Sequence, residues 1–231
     1  MLSSRPAGSH RIRSFVMRAG RMTAAQGRGW KEGFPRFGLE VRSGLLNWEG
    51  TFSGSGRRIV EIGFGMGDSL LEMALADPEG QFLGIEVHRP GVGRLLGQLM
   101  SARCSNVRIY AEDAVEVIEQ CLSPESIDAF HIFFPDPWHK KRHHKRRLVQ
   151  VDLVEKLVSV LRPGGYIHLA TDWGPYAEHM FDVLDAEPRL RNAMGTPRMP
   201  SPRPEYRART KFESRGERLG HGVWDLVYVR Q

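Results

Sequence analysis

The stretch RRIVEIGFGMGDSLLEMALAD, residues 57–77, joins a strand, a glycine turn and a helix in immediate succession. Residues 57–62, which include Ile59, Val60 and Ile62, are typical of a buried strand, and residues 68–77 place apolar side chains at helical spacing. The turn between them contains three glycines, which allow a tight bend and a close approach of backbone to a ligand. The stretch therefore predicts the first strand–helix unit of an α/β fold.

The same alternation continues along the chain. It predicts a mostly parallel sheet with helices on both faces, because consecutive parallel strands need a crossover connection. The helix predicted over residues 147–165 is expected to stop at its Pro-Gly-Gly end. Further strands are predicted at residues 81–87, 106–113, 126–137, 166–172 and 223–231, and further helices at 91–103, 114–122 and 176–187.

Acidic residues stand at or just after the carboxyl ends of five predicted strands. In open α/β sheets, ligands bind beyond these strand ends, near the point where the strand order reverses. We therefore expect the five acids to converge on one hollow at this edge of the sheet. They are Glu61, Glu86, Asp113, Asp136 and Asp172.

The glycine turn has the spacing E-x-G-x-G-x-G, formed by Glu61, Gly63, Gly65 and Gly67. A dinucleotide site would have G-x-G-x-x-G, and Asp68 stands where its third glycine belongs and would repel a pyrophosphate. The spacing instead suits a ligand with an adenosine end and a positive centre, such as S-adenosylmethionine. A purely structural glycine turn is the alternative reading.

Three of the acids have separate predicted roles toward such a ligand. Glu86 could accept both ribose hydroxyls, although NAD would use the same position. Asp113 could take the adenine amino group, or could simply cap the helix predicted at 114–122. Glu61 could lie near the sulfonium and amino-acid end, where a carboxylate is electrostatically favourable.

The stretch FFPDPWHKKRHHKRR, residues 133–147, begins as a buried strand and ends as the most basic run in the chain. Prolines fix the backbone on both sides of Asp136, and Trp138 could stack on a base or wall the pocket. The N1–H and N2 amino groups of guanine fit one carboxylate, and its N7 already has a free lone pair. We therefore predict that Asp136 orients a base rather than removing a proton.

Charge is distributed unevenly over the 231 residues, whose net charge is +6. Residues 1–31, 139–147 and 189–218 are basic, and they frame an acidic centre. A polyanion reaching across the molecule would explain this pattern, whereas solvated loops would explain each segment alone. The spacing His-x3-His-His in the second segment resembles a metal site, but six neighbouring cations oppose a divalent ion, so no metal is expected.

The ends of the chain supply the other basic segments. The N-terminal arm is rich in Arg and Ser, which is also typical of a mitochondrial transit peptide, and its glycines make a long helix improbable. Residues 203–218 mix cations with Tyr206 and Phe212, as expected for contact with splayed-out bases. Two cysteines indicate a reducing interior, and no apolar run is long enough for a membrane helix.

Several segments together resemble the bacterial tRNA (guanine-N7)-methyltransferase family. They are RSFVMRAGRMTAAQ (13–26), EIGFGMG (61–67), GIEVHRPGV (84–92), FFPDPWHKKRHHKRR (133–147), ATDW (170–173) and TKFE (210–213). The resemblance implies a Rossmann-like class I methyltransferase fold with a mostly parallel, seven-stranded sheet. It also implies S-adenosylmethionine as donor and a guanine of the tRNA variable loop, position 46, as acceptor.

The resemblance also implies roles for individual residues. Asp136 is the expected catalytic residue, and the donor site is expected to comprise Glu61, Gly63, Gly65, Gly67, Glu86, Asp113 and Asp136. The substrate side is expected to comprise Lys140, Asp172, Thr210, Lys211, Phe212 and Glu213. RNA contacts are expected from Arg142, His143, His144, Lys145, Arg146 and Arg147.

The expected organisation is a basic, partly disordered arm at residues 1–50 and a methyltransferase domain at 51–231. The domain includes the basic segment 139–147 and a substrate loop at 196–218. The expected partner is tRNA, in the cytoplasm, with the chain as a monomer or a homodimer. A methyltransferase for another RNA or a small molecule, and a non-catalytic RNA-binding protein on the same scaffold, are the alternatives.

Overall fold

The computed structural model describes residues 21–195, 198–199, 203–207, 213 and 222–231. Within these residues, one eight-stranded sheet separates two layers of helices. The strands are β1 (Gly38–Leu39), β2 (Arg58–Ile62), β3 (Gln81–Ile85), β4 (Val107–Tyr110), β5 (Ile127–Phe133), β6 (Leu161–Thr171), β7 (Leu190–Asn192) and β8 (Trp224–Arg230). The α-helices are α1 (Ala24–Phe37), α2 (Trp48–Thr51), α3 (Asp68–Ala76), α4 (Arg89–Ala102), α5 (Ala114–Cys121), α6 (Val151–Val160) and α7 (Gly174–Asp185).

The strand order is β1-β4-β3-β2-β5-β6-β8-β7. The chain runs from β2 outward through β3 to β4 and then returns to place β5 on the other side of β2, so the order reverses between β2 and β5. The pairs among β1 to β6 are parallel, and β8 is antiparallel to both β6 and β7. The mostly parallel sheet with helices on both faces is confirmed, although β1 adds an eighth strand to the expected seven.

The two faces of the sheet carry separate apolar cores. One core packs α5, α6 and α7 against residues such as Val60, Leu83 and Phe130. The other packs α1, α3 and α4 against residues such as Ile59, Phe82 and Ile109. Alternate residues of each strand thus enter opposite cores, as the period of two in a strand requires.

The end of the helix predicted over 147–165 was misplaced, because α6 stops at Val160 and the Pro-Gly-Gly sequence lies inside β6. The pairing of β5 with β6 shifts register between Ile127 and Ala129, opposite this sequence. Gly164 has φ of 77°, a conformation that favours glycine. The Pro-Gly-Gly sequence therefore forms an irregularity in a strand rather than a helix end.

The expectation that glycines exclude a long helix from the N-terminal arm was wrong, since α1 spans 14 residues. Thr23 and Gln26 form a capping box at its start, each side chain bonding the other residue's backbone N–H. The glycines instead allow α1 to lie directly on α4. A Cβ atom on Gly29 would stand 2.1 Å from the carbonyl oxygen of Gly93.

None of the helices in the described ranges is long and apolar enough to cross a membrane.

Candidate active site

Two adjoining cavities open at the carboxyl ends of β2 and β5, where the strand order reverses. The first, of about 230 Å³, is lined by Glu86, Asp113 and Asp136 among others. The second, of about 720 Å³, is lined by Glu61 and the glycine turn. Both cavities share Gly63, Phe133 and Phe134. Four of the five predicted acids therefore border one continuous hollow, at the position expected for an open α/β sheet.

The three glycines of the turn all have left-handed backbone conformations. Gly63, Gly65 and Gly67 have φ of 78°, 58° and 81°, where any residue with a Cβ atom would be strained. Gly67 is the N-cap of α3, and Asp68, the first residue of that helix, bonds Arg94 of α4 at 2.7 Å. The start of α4 also packs closely against the turn, since a Cβ on Gly91 would lie 1.9 Å from the Gly65 carbonyl oxygen.

Glu61 is the buried carboxylate of the site, with only 2% of its surface exposed. Burial, and then the negative charge of Glu86, raise the pKa of Glu61 from 4.5 to about 8. Its Oε2 atom has no hydrogen-bond partner among the described residues, and neither has the buried Oγ of Ser69 in the same cavity. A cationic group in this cavity would supply the missing partner and favour the ionised carboxylate.

Glu86 is half-buried and holds the glycine turn in place. Its Oε2 accepts a bond from the Gly65 backbone N–H at 2.8 Å, and its Oε1 accepts one from the His88 N–H at 2.8 Å. Each carboxylate oxygen has a second lone pair, so Glu86 can also accept hydrogen bonds from the hydroxyl groups of a ligand in the adjacent cavity.

Asp113 caps a helix, which is one of the two roles that the sequence left open, and it also lines a cavity. It is the N-cap of α5, and its Oδ1 accepts a bond from the Val115 backbone N–H at 2.8 Å. It also lines the first cavity, beside Glu112 and Ala114. The helix cap therefore places a carboxylate at the cavity wall.

Asp136 lies on a strained segment at the mouth of the first cavity. The residues two before and two after it, Phe134 and Trp138, have φ of 51° and 47°, which is uncommon for residues other than glycine. The Phe134 backbone N–H bonds the Ala170 carbonyl of β6 at 2.8 Å, which ties the start of the segment to the sheet. Strain of this kind persists where the surrounding structure fixes it, and it clusters at ligand sites.

The predicted RNA contact of Arg147 is not compatible with its position, because only 3% of its surface is exposed. Its Nε donates to the Pro137 carbonyl at 3.0 Å and its Nη1 to the Pro175 carbonyl at 3.4 Å. Its guanidinium also lies over the Tyr176 ring. Arg147 therefore links the Asp136 segment to the start of α7 instead of binding phosphate.

In the rest of the basic segment, some side chains are exposed to solvent and others pack against neighbouring residues. Residues Lys141–Arg146 form a 3₁₀ turn, in which Lys141, Arg142 and Lys145 are exposed. His144 lies 3.1 Å from Arg147 Nη2. Arg146 lies over the ring of Trp138 and His143 stands edge-on to it, so Trp138 is covered by its own segment. Trp138 is not among the residues that line the two cavities.

The predicted substrate residues are only partly brought together. Lys140 is exposed just before the 3₁₀ turn, and Asp172 is half-buried directly after β6, outside the lining of both cavities. Thr210, Lys211 and Phe212 lie outside the described residues. Glu213 is 2% exposed and therefore does not face solvent.

Glu213 belongs to a buried network centred on Arg207, which sequence analysis did not identify. Arg207 is fully buried and binds the Glu213 carboxylate through two bonds of 2.7 and 2.8 Å. It binds Asp225 of β8 through two further bonds of 2.6 and 2.9 Å. Its guanidinium lies 5.7 and 5.6 Å from the ring centroids of Phe133 and Phe134, the residues shared by both cavities.

Gln26 is a second residue that sequence analysis missed. It lines the cavity of the glycine turn from α1, together with Arg94 of α4. A signal was present, because Thr23-Ala-Ala-Gln26 is a capping-box sequence that marks a helix start. No comparable signal marked Arg207, whose partners Glu213 and Asp225 lie six and 18 residues further along the chain.

The described ranges contain no group of three His, Cys, Asp or Glu side chains placed to hold a metal ion.

Comparison with known proteins identifies the family. A family described as "putative methyltransferase" matches residues 55–226. The tRNA (guanine-N(7)-)-methyltransferase of Chromohalobacter salexigens is 54% identical over 220 residues, covering 95% of this chain and 89% of that protein. The protein of the same name from Burkholderia lata is 57% identical over 226 residues, covering 98% and 88%.

Among solved structures, the 16S rRNA methyltransferase KamB aligns with a TM-score of 0.55 at 12% identity, covering 81% of this chain and 95% of that one. At this identity the likeness concerns the fold alone, and it confirms the expected Rossmann-like methyltransferase fold. The extent and identity of the sequence matches go further: the chain belongs to the tRNA (guanine-N7)-methyltransferase family.

Proposed function

We propose that this protein transfers the methyl group of S-adenosylmethionine to N7 of a guanine in tRNA, at position 46 of the variable loop, in the cytoplasm. The observation that carries the proposal is the shared floor of Phe133 and Phe134. It joins the cavity of the buried Glu61, whose Oε2 atom has no hydrogen-bond partner among the described residues, to the cavity of Asp136, an exposed carboxylate on a strained segment. Family membership supports the tRNA guanine as acceptor.

The donor side is built for a ligand that is both polar and cationic. S-adenosylmethionine supplies an electrophilic methyl group on a positively charged sulfur. The Oε2 atom of Glu61 and the Oγ atom of Ser69, both buried and unpaired among the described residues, fit the charged end of such a ligand. Glu86 and Asp113 supply carboxylates to the other cavity, where ribose hydroxyls and an adenine amino group would find acceptors.

On the acceptor side, the proposed reaction requires that the guanine is correctly oriented, and it requires little acid–base chemistry. The Asp136 carboxylate would accept hydrogen bonds from N1–H and the N2 amino group of guanine, and the N7 lone pair would remain on the opposite side of the ring. Because N7 carries no proton, no base is required before attack. The strained, proline-flanked backbone would hold the carboxylate in one orientation, and a fixed geometry for in-line approach would supply most of the rate.

The electrostatic complement to RNA lies beside this acceptor side. Lys141, Arg142 and Lys145 are exposed immediately after the Asp136 segment. Phosphates bound there would bring a nucleotide to Asp136 without reading its sequence.

The test is incubation with methyl-labelled S-adenosylmethionine and an unmodified tRNA transcript, followed by mapping of the modified nucleotide. We expect label at N7 of one guanine, at position 46, located by strand cleavage with aniline after borohydride reduction of the methylated base. Label at another tRNA guanine would overturn the assigned position. Absence of 7-methylguanine would overturn the proposed function itself.

A further inference from the structure

The acceptor side contains an exposed aromatic side chain that the proposed chemistry leaves without a role. Trp173 is the second residue after the end of β6, and 38% of its surface is exposed. Among the large apolar side chains of the described residues, the only other exposed aromatic is Tyr206, whose hydroxyl lies 3.1 Å from His168 Nδ1. A tryptophan exposed at the ligand-binding edge of a sheet is available to a partner.

The surroundings of Trp173 define which partner would fit. His139 packs against it, with ring centroids 4.4 Å apart and planes at 83°, so the two rings form a corner. His139 opens the basic segment, and the exposed cation Lys140 follows it. A flat ring attached to a phosphate chain, which is a nucleotide of RNA, matches an aromatic surface bordered by cations.

The position of this corner relative to Asp136 is fixed by buried contacts. Arg147 bonds the Pro137 carbonyl next to Asp136 and also the Pro175 carbonyl two residues beyond Trp173. Burial is the main cause that raises the pKa of the Tyr176 phenol on α7, and the nearby charge of Asp136 is a smaller cause in the same direction. The segment that carries Asp136 and the turn that carries Trp173 therefore form one unit.

Trp138, which lies two residues after Asp136, is not available for the same task. Arg146 lies 5.1 Å from its ring centroid and His143 stands edge-on at 5.9 Å. Its indole Nε1 is buried and has no partner in the part of the chain that the structure describes. Phe134, two residues before Asp136, is half-buried and lines both cavities, so of these three aromatic rings Trp173 is the exposed one.

We propose that Trp173, with His139 against it, forms the platform on which the target guanine stacks after it leaves the RNA stack. Enzymes that modify a base inside a folded nucleic acid commonly extrude that base and hold it by stacking and edge contacts. Trp173 would contact the face of the guanine and Asp136 its edge. This inference rests on the proposed function, because it assigns a subsite to that acceptor.

The kinetic test compares Trp173→Ala with Trp173→Phe, which keeps an aromatic face. Loss of one base-stacking contact should raise KM for tRNA about ten-fold in Trp173→Ala and leave KM for S-adenosylmethionine unchanged. Trp173→Phe should recover most of the loss. A KM for tRNA within about two-fold of wild type in Trp173→Ala would overturn the platform, and the wild-type enzyme would still establish the proposed function.

Fluorescence gives a second test that does not depend on turnover. Unmodified tRNA should quench the tryptophan emission of the wild-type protein, and the quenching should be lost in Trp173→Phe but kept in Trp30→Phe, a change on α1. A tRNA with an abasic nucleotide at the target position should not quench. Quenching that survives in Trp173→Phe, or with the abasic tRNA, would overturn stacking of the target base on Trp173.

Discussion

At the residue scale, two carboxylates of the candidate site lie in different environments. Glu61 is buried in the cavity of the glycine turn, and its Oε2 atom has no hydrogen-bond partner among the described residues. Asp136 is exposed at the mouth of the other cavity, on a backbone held by prolines and by strained neighbours. The first is suited to a cation that enters the protein, and the second to hydrogen bonds with an incoming base.

Asp136→Asn should abolish methyl transfer and leave tRNA affinity largely intact. The amide is nearly isosteric with the carboxylate but has one oxygen instead of two. It is therefore a poor acceptor for the two hydrogen bonds that N1–H and the N2 amino group of guanine would donate. We expect kcat to fall at least about a hundred-fold, with Kd for tRNA within about three-fold, since phosphate contacts supply most of the affinity.

The matched control is Asp152→Asn, an exposed carboxylate in the first turn of α6. It should retain wild-type turnover. Near-wild-type turnover in Asp136→Asn would show that this carboxylate does not orient the base.

Glu61 should make stability fall as pH rises. Its pKa is about 8 in the folded protein and near 4.5 when exposed, so between these values the folded state binds a proton that the unfolded state has lost. The wild type should therefore lose stability progressively from about pH 4.5 to 8. Glu61→Gln cannot ionise and should not lose stability in this way. The difference in free energy of unfolding between Glu61→Gln and wild type should therefore grow by on the order of 1.4 kcal/mol for each pH unit across this range, to a few kcal/mol in total.

Urea unfolding at several pH values measures this difference. Glu72→Gln, an exposed change at the rim of the same cavity, should follow the wild-type curve. A difference between Glu61→Gln and wild type that does not vary with pH would contradict a raised pKa.

At the scale of elements, the contact between α1 and α4 holds α1 beside the cavity of the glycine turn. Gly29→Ala would place a methyl group 2.1 Å from the backbone oxygen of Gly93, and neither helix backbone can yield without moving away. We expect a loss of about 1–3 kcal/mol in the free energy of unfolding. Donor affinity should also fall, because Gln26 lines the cavity from the same helix.

Gly27→Ala is the internal control, because a Cβ at that position meets nothing within 4 Å. It lies in the same helix and should stabilise the protein by about 0.5–1 kcal/mol through helix propensity alone. Equal effects of the two substitutions would mean that the glycine contact with α4 does not hold α1.

The buried Arg207 network holds residues 203–207 and Glu213 against the sheet. Arg207→Met would leave the carboxylates of Glu213 and Asp225 buried without this cation, at a cost of about 3–5 kcal/mol. Since the guanidinium faces Phe133 and Phe134, turnover should also fall. Thermal unfolding and methyl transfer below the unfolding transition measure the two effects.

Arg198→Met offers a matched comparison at the surface. Arg198 also bonds several carboxylates, including Asp182 at 2.7 Å and Asp185 at 2.6 Å, and lies over Phe181, but a third of its side chain is exposed. Surface ion pairs contribute about 0–1 kcal/mol, so this change should be mild. A comparably mild effect of Arg207→Met would show that burial of the network is not what fixes this part of the chain.

These elements also show how far the sequence could predict the site. Strand ends and the glycine turn follow from local patterns, so the positions of Glu61, Glu86, Asp113 and Asp136 were predictable. Charge alone does not reveal which way a side chain points, and for that reason the basic run predicts a phosphate ligand at Arg147, which is buried. The partners of Arg207 follow no local sequence pattern, and Asp225 reaches it only because β8 is part of the folded sheet.

At the scale of the whole molecule, the basic segments should act as an electrostatic surface whose effect depends on salt. Arg142 and Lys145 are exposed beside the acceptor side, whereas Arg147 is excluded by its burial. The double change Arg142→Gln and Lys145→Gln should weaken tRNA binding and reduce the slope of log K against log salt by up to about 0.7–0.9 for each phosphate that is no longer neutralised. Turnover at saturating tRNA should change little, because these cations bind the backbone and not the base.

The control removes the same charge elsewhere, through Arg57→Gln and Arg103→Gln. Arg57 immediately precedes β2 and Arg103 follows α4, so both lie at the end of the sheet opposite the site. If net charge alone attracts the tRNA, both double variants should lose equal affinity and equal slope. If the surface beside Asp136 is the binding site, only the first variant should show the smaller slope, and that difference separates local contact from long-range attraction.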